Sequence, residues 1–387
     1  MPSSWQDRSP PEDKADVVVL GIAARGLAAA ARRAGLRAVA LDLFGDEDTR
    51  ALAVETIALR RHPGFAIDPG ELFDQLDIHA GHTLPVVLGT GFEHAPEIVG
   101  ALAARYRLAG CGPDTLARLK QPAVFERLLA DLGIPHPRLL HGAAPEGMRA
   151  LEKQVGGAGG AHVRPATMAR GEGWYLQEQV EGRSVSALFL GDACTARLLA
   201  FSEQWCAPAE GTPFRYGGAA GPIRLDDGIA RDVADALSRL VEANGLVGLA
   251  SADLMVGEAG WSLLEINPRP GATLDIFDRP PLPPLLRLHI DACAGRLPEL
   301  ALLAPGAGVE ARAAGVLYAP AAFDMRLDPL PEWVADRPRY GTRFDAGEPV
   351  CTVLAAGHDT IDARETLSRR MDHLWRTLNT ADRQAAE

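Results

Sequence analysis

Two short segments constrain this chain more than anything else in it. One is a lysine followed by a glycine run, Lys153-Gln154-Val155-Gly156-Gly157-Ala158-Gly159-Gly160; the other, 105 positions beyond its end, is Glu265-Ile266-Asn267-Pro268-Arg269. Glycines without a Cβ let backbone N–H groups wrap phosphate oxygens closely, and the lysine adds a cation. On an extended strand Glu265 and Asn267 project to one face, because side chains alternate with period two. Asp253, which ends the apolar run from Gly248, can add a third oxygen from a neighbouring strand. Two carboxylates and an amide suit magnesium, with manganese able to replace it, far better than zinc or copper. Together the segments read as the two sides of a site for ATP and its metal ion.

The lysines sharpen that reading. The chain has 387 residues and a formal net charge of −12, yet its only lysines are Lys14, Lys120 and Lys153. Such an acidic chain is a poor partner for nucleic acid or an anionic membrane, so binding a polyphosphate requires local positive charge. Lys14 sits in a polar, proline-containing leader, residues 1–15, that reads as disordered. Lys120 and Lys153 remain, and both fall at candidate nucleotide positions.

The five cysteines, Cys111, Cys194, Cys206, Cys293 and Cys351, never form a C-x-x-C pair, which argues against a disulfide framework or a zinc site. No apolar run is long enough to span a membrane, and the start carries no secretory pattern, so a cytoplasmic location is expected.

Residues 16–42 read as a strand, a helix from Ala23 to Ala34 and a second strand, a βαβ unit opening a doubly wound domain. Gly21-Ile22-Ala23-Ala24-Arg25-Gly26 lacks the middle glycine of a dinucleotide-binding turn, so the unit is expected to pack and to help hold substrate. A strand over 84–88 runs into Gly89-Thr90-Gly91-Phe92-Glu93, where loops of parallel sheets meet ligands, and Glu93 is a candidate for a substrate ammonium. Residues 115–132 read as one helix ended by Gly133 and Pro135. A boundary is expected near 303–308, followed by strands at 315–318 and 350–355 and a helix over 360–378.

These elements, in this order, resemble an ATP-grasp enzyme. The resemblance implies an α/β fold: a leader over 1–15, an N-terminal Rossmann-like pre-ATP-grasp domain over 16–110, the ATP-grasp domain over 111–304, and a small, barrel-like α+β region over 305–387. It implies that Lys120 and Lys153 hold the nucleotide with Gly157, Ala158, Gly159 and Gly160. In Tyr175 to Gly182 it implies an adenine-reading hinge at Gln179 and Val180, assisted by Glu178. Asp253, Glu265 and Asn267 fall on the metal ligands, and Arg269, with Lys153, on the groups that meet the transferring phosphoryl. Arg164, Arg215 and Tyr216 are candidates for substrate contacts. The chain departs from the pattern at Ser184, where a ribose-binding acid is often found, and the surroundings of Asp253 leave one metal ion or two open.

The segments 42–50, 89–93, 215–218 and 341–356 are similar to a carboligase-like branch that includes tyramine:glutamate ligase. That implies a carboxylate–amine ligase acting through an acylphosphate, with small-molecule carboxylate and amine as partners, on glutamate in methylofuran or tetrahydromethanopterin assembly. A homodimer is compatible with it. A biotin-carboxylase-like carboxylase and an inert nucleotide-binding protein are the alternatives. The first lacks a Met-Lys-Met biotin site in this chain, and the second sits poorly with Lys153, Glu265 and Asn267 all in place.

Overall fold

The computed structural model describes residues 15–79, 83–306 and 308–386; the expectation for the leader falls almost wholly outside them. Short, mostly apolar runs build the centre of the first sheet. The strands β1 (Val17–Leu20), β2 (Ala38–Asp42) and β4 (Pro85–Leu88) are buried nearly throughout, as strands covered on both faces must be. With β3 (Glu55–Ala58) and β5 (Arg107–Leu108) they form a parallel sheet in the order β3-β2-β1-β4-β5. The helices α1 (Arg25–Arg33), α2 (Glu47–Leu52), α3 (Pro69–His79) and α4 (Pro96–Arg105) make its connections. Strand order reverses between β1 and β4, and the carboxyl ends of those two strands point toward the rest of the molecule.

Residues 113–131 do not form the single helix that their periodicity suggests. α5 (Pro113–Lys120) stops at Gln121, which is extended (φ −88°, ψ 112°), and α6 (Pro122–Asp131) starts afresh. The cause is Pro122: its ring disfavours helical backbone at the preceding residue, while its fixed φ suits the first position of a new helix. The break leaves Lys120 in the last turn of α5.

Four short strands, β6 (Leu139–Leu140), β7 (Ala150–Gln154), β8 (Arg164–Pro165) and β9 (Trp174–Glu178), form a small sheet in the order β6-β9-β7-β8. It carries the glycine run on the β7–β8 connection. The long antiparallel strands follow: β10 (Arg183–Asp192), β11 (Ala196–Cys206), β12 (Tyr216–Ile223), β13 (Val247–Gly257) and β14 (Gly260–Asn267). The amphipathic helix α7 (Asp227–Asn244) covers one face of them, with Asp226 capping its first N–H groups and Gly245 ending it in the left-handed conformation.

After α8 (Leu274–Phe277) and α9 (Leu285–Cys293), β15 (Ala311–Tyr318) pairs with β12 and extends the same sheet. The pair β16 (Phe323–Asp324) and β18 (Arg343–Phe344) makes a separate ribbon, while β17 (Val334–Ala335) and β19 (Pro349–Gly357) complete the large sheet as β14-β13-β10-β11-β12-β15-β19-β17. The closing helix, α10 (Thr360–Ala386), packs Ala363, Leu367, Leu374 and Leu378 against it. None of the helices among the described residues is long and apolar enough to cross a membrane.

Candidate active site

The hairpin β13–β14 places the acid–amide set. Its register sets Asp253 opposite Glu265 and Ser251 opposite Asn267, so alternation along β14 brings Asn267 to the same face as both carboxylates. Asn267 Nδ2 donates to Asp253 Oδ2 at 3.2 Å and to Glu265 Oε1 at 3.1 Å. Its Oδ1 accepts from Lys120 Nζ at 3.2 Å, and that ammonium also lies 3.9 Å from Glu265. The helix break at Pro122 thus serves the site, since it ends α5 where Lys120 reaches β14. Gln204 Nε2 donates to the other oxygen of Asp253 at 3.0 Å.

Electrostatics separate the two acids. Burial, reinforced by the charge of Glu265, pushes the Asp253 carboxyl up to about 7. Burial also opposes the charge of Glu265, but Lys120 and Lys153 outweigh it and hold that carboxyl below its usual range. Burial lowers the Lys153 ammonium, with Glu265 and Asp253 opposing. Lys153 Nζ donates to Gln177 Oε1 at 2.8 Å. Glu265 keeps 42 % of its side-chain surface open to the cleft.

The donor set fits a hard divalent cation: two carboxylates and an amide oxygen within one hydrogen-bonded group, with room for phosphate and water to complete the shell. In this structure the amide turns its NH2 toward the carboxylates, partly offsetting their charge. Rotation by half a turn would present the oxygen instead. No group of three or more His, Cys, Asp or Glu side chains suited to a metal occurs among the described residues.

Over this set lies the glycine run. Gly160 has φ +72°, and a Cβ there would stand 2.1 Å from the Phe214 carbonyl oxygen, so only glycine fits. Beside it Gly159 C=O accepts from Tyr216 N at 2.9 Å, which docks the tip of the loop onto β12. Beneath the loop a cleft of about 590 Å³ runs from Phe125, Leu139 and Val180 at one end past Lys153 to Tyr216 and Tyr318 at the other. Its size and mixed lining suit a nucleotide-sized ligand. His162 also lines it, and burial holds that imidazole below its usual range.

The structure brings together Lys120, Lys153, Gly157, Ala158, Gly159, Gly160, Gln179, Val180, Tyr216, Asp253, Glu265, Asn267 and Arg269 around this one cleft. Four of the expected residues make other contacts in this structure. Glu178 turns away and pairs with Arg138 (Nε to Oε2, 2.9 Å), because β9 presents its alternate residues to the cleft. Gln177 and Gln179 occupy that face instead; alternation sets Gln177 and Glu178 on opposite faces, and the register of β9 against β7 decides which one meets the cleft. The Gln179 N–H is already taken by Arg149 C=O at 2.9 Å. Arg164 pairs with buried Glu152 (Nε to Oε2, 2.7 Å) and stacks on Trp174. Arg215 donates to the carbonyls of Ala207 and Gly347 and lies over the Tyr318 ring at 3.6 Å. Neither arginine lines the cleft.

Glu93 is the fourth. It is 3 % exposed, and its oxygens accept from Arg269 Nε at 2.6 Å and Gly91 N at 2.7 Å. Burial opposes its charge, but Arg269 and then Lys120 bring its carboxyl down to about 2. It is the counter-ion of Arg269.

Residues 123–273 match the family model of an ATP-grasp domain. Solved structures share the architecture over nearly the whole chain. Biotin carboxylase from Campylobacter jejuni, solved as a beta-gamma-ATP complex, superposes with a TM-score of 0.68 at 12 % identity, covering 91 % of this chain and 90 % of that one. The biotin carboxylase domain dimer of 2-oxoglutarate carboxylase from Hydrogenobacter thermophilus, with magnesium ADP and bicarbonate, gives 0.66 at 12 %, covering 88 % and 86 %. N5-carboxyaminoimidazole ribonucleotide synthetase from Thermotoga maritima gives 0.63 at 16 %, covering 93 % and 98 %. No curated protein sequence matches significantly. The chain carries an ATP-grasp domain, and its fold as a whole is the ATP-grasp fold.

Proposed function

We propose that the protein is an ATP-dependent carboxylate–amine ligase that works through an acylphosphate. The observation that carries this reading is the set at the carboxyl end of β14. Asn267 ties Asp253 to Glu265, with Lys120 bonded to the same amide and Lys153 within electrostatic reach, all under a docked glycine loop. Phosphoryl transfer needs positioning and charge neutralisation more than covalent help from the protein, and this is the chemistry such a set supplies.

Asp253, Glu265 and Asn267 would hold magnesium, which when bound neutralises phosphate charge. Lys120 and Lys153 hold phosphate oxygens, and Arg269, fixed by Glu93, faces the transferring group. A substrate carboxylate oxygen attacks the γ-phosphorus as the bond to ADP breaks. The amine nitrogen then attacks the acyl carbon, the carbon–oxygen bond to phosphate breaks, and the amine gives up a proton. The glycine loop over the cleft excludes water, which would hydrolyse the intermediate.

Glutamate, in assembly of a one-carbon cofactor, is the first carboxylate to try, because of the resemblance at 42–50, 89–93, 215–218 and 341–356. The test is ADP release with MgATP and pairs of amino acids and amines, followed by hydroxylamine trapping with the carboxylate alone. A hydroxamate of that carboxylate supports the reading. ADP release that depends on bicarbonate and yields no hydroxamate would replace it with a carboxylase.

A further inference from the structure

Beside the nucleotide cleft lies a second cavity of about 150 Å³. It sits outside the carboxyl ends of β1 and β4, the point where strand order reverses in the parallel sheet, which is where open α/β sheets take ligands. Thr90, Tyr216, Gly271 and Ala272 line both spaces, so a molecule in the cavity can present one end to the cleft. Tyr216 stands at the neck: the charges of Asp253 on the cleft side and Asp275 on the cavity side both act on its hydroxyl.

The lining selects by size and charge. Small residues, Gly26 and Gly89 among them, keep the space open, and a void of this volume takes a molecule of about six non-hydrogen atoms. The charged groups of the wall are Arg25, Asp275 and Asp336. Arg25 is 6 % exposed and donates to both acids: to Asp275 through Nη1 and through Nη2 (2.6 Å), and to Asp336 through Nε (2.9 Å) and Nη2 (3.2 Å). Four of its five N–H donors are therefore committed, and the guanidinium has little left for an incoming carboxylate or bicarbonate. Two carboxylates against one guanidinium leave the wall with a formal charge of −1. Asp48, 4.0 Å from Arg25 Nε, adds to that sign from behind.

We propose that this cavity is the amine-substrate pocket, selective for a small primary amine that enters as its ammonium. The inference rests on reading the adjoining cleft as the nucleotide site, and it names the class of co-substrate that the reading left open.

The test uses the full-length protein and the probe n-butylammonium, with 1-butanol and butyrate as neutral and anionic counterparts, in ligand-observed NMR titrations. Gly26→Leu is the variant of choice. A Cβ at Gly26 meets only Leu274 Cδ1, at 3.9 Å, so a side chain can grow into the cavity while the Arg25 pairs stay intact. Butylammonium should bind saturably and the other two should not, and Gly26→Leu should weaken it by about tenfold or more. Calorimetric MgATP affinity of the same variant should be unchanged, since Gly26 lines the cavity and not the cleft. Preference for butyrate, absence of saturable butylammonium binding, or equal binding to Gly26→Leu would each overturn the proposal. Wild type that takes the amine but not MgATP would instead overturn the reading of the cleft, so the two failures are distinct.

Discussion

Replacing Glu93 with glutamine keeps the side chain's shape and removes its charge, leaving Arg269 buried beside a neutral amide. The carboxyl titrates at about 2, against an ordinary 4.5, because burial is outweighed by Arg269 and Lys120. That difference corresponds to about 3 kcal/mol favouring the ionised form in the folded protein, at roughly 1.4 kcal/mol per pH unit. Breaking a buried ion pair from one side costs about 3–5 kcal/mol on general experience, so both routes give the same order. Glu93→Gln should therefore unfold at lower urea with a loss of about 3 kcal/mol near neutral pH.

The sign of the pH dependence follows from the depressed value. The stabilisation is present above the unfolded carboxyl's range and fades as pH falls from about 4.5 toward 2, so the gap between wild type and variant should close over that window. Urea unfolding at several pH values measures it. A variant as stable as wild type that instead binds the amine substrate more weakly would return Glu93 to the substrate face and refute the counter-ion assignment.

Glu265→Gln should lose about 10²-fold or more in turnover, a few kcal/mol of transition-state stabilisation, with little change in melting temperature; near-normal ADP formation at saturating magnesium would contradict the metal assignment. Lys153→Ala should weaken ATP by about tenfold or more in calorimetry, and an unchanged affinity would remove the lysine from the phosphates. Gly160→Ala would force a Cβ against the Phe214 carbonyl, so the loop should lift and the Tyr216 amide, bonded to Gly159, should exchange faster. Unaltered protection at Tyr216 would show that the loop is docked by other contacts.

What was legible in the sequence is what depends on short-range rules. Period two along β14 puts Glu265 and Asn267 on one face, and a tight hairpin carries Asp253 opposite them. The glycine run shows itself because its backbone conformations exclude other residues. What was not legible depends on partners far along the chain. Glu93 meets Arg269 from 176 residues away, and nothing near Glu93 marks it as a counter-ion. Glu178 and Gln177 are both plausible beside a nucleotide; only the register of β9 against β7 decides which faces it. The second cavity joins residues near 25, 89, 275 and 315, so no local segment announces it. The break at Pro122 was readable in principle, but an apolar period on both sides of it favours one helix until the proline's effect on Gln121 is weighed.

The central claim is that a carboxylate oxygen becomes part of the phosphate that leaves. With both oxygens of the substrate carboxylate labelled as 18O, turnover in the presence of MgATP and amine should give inorganic phosphate carrying one labelled oxygen, with the other retained in the amide. Mass spectrometry of the released phosphate reads this directly. Amide formed alongside unlabelled phosphate would contradict the acylphosphate route.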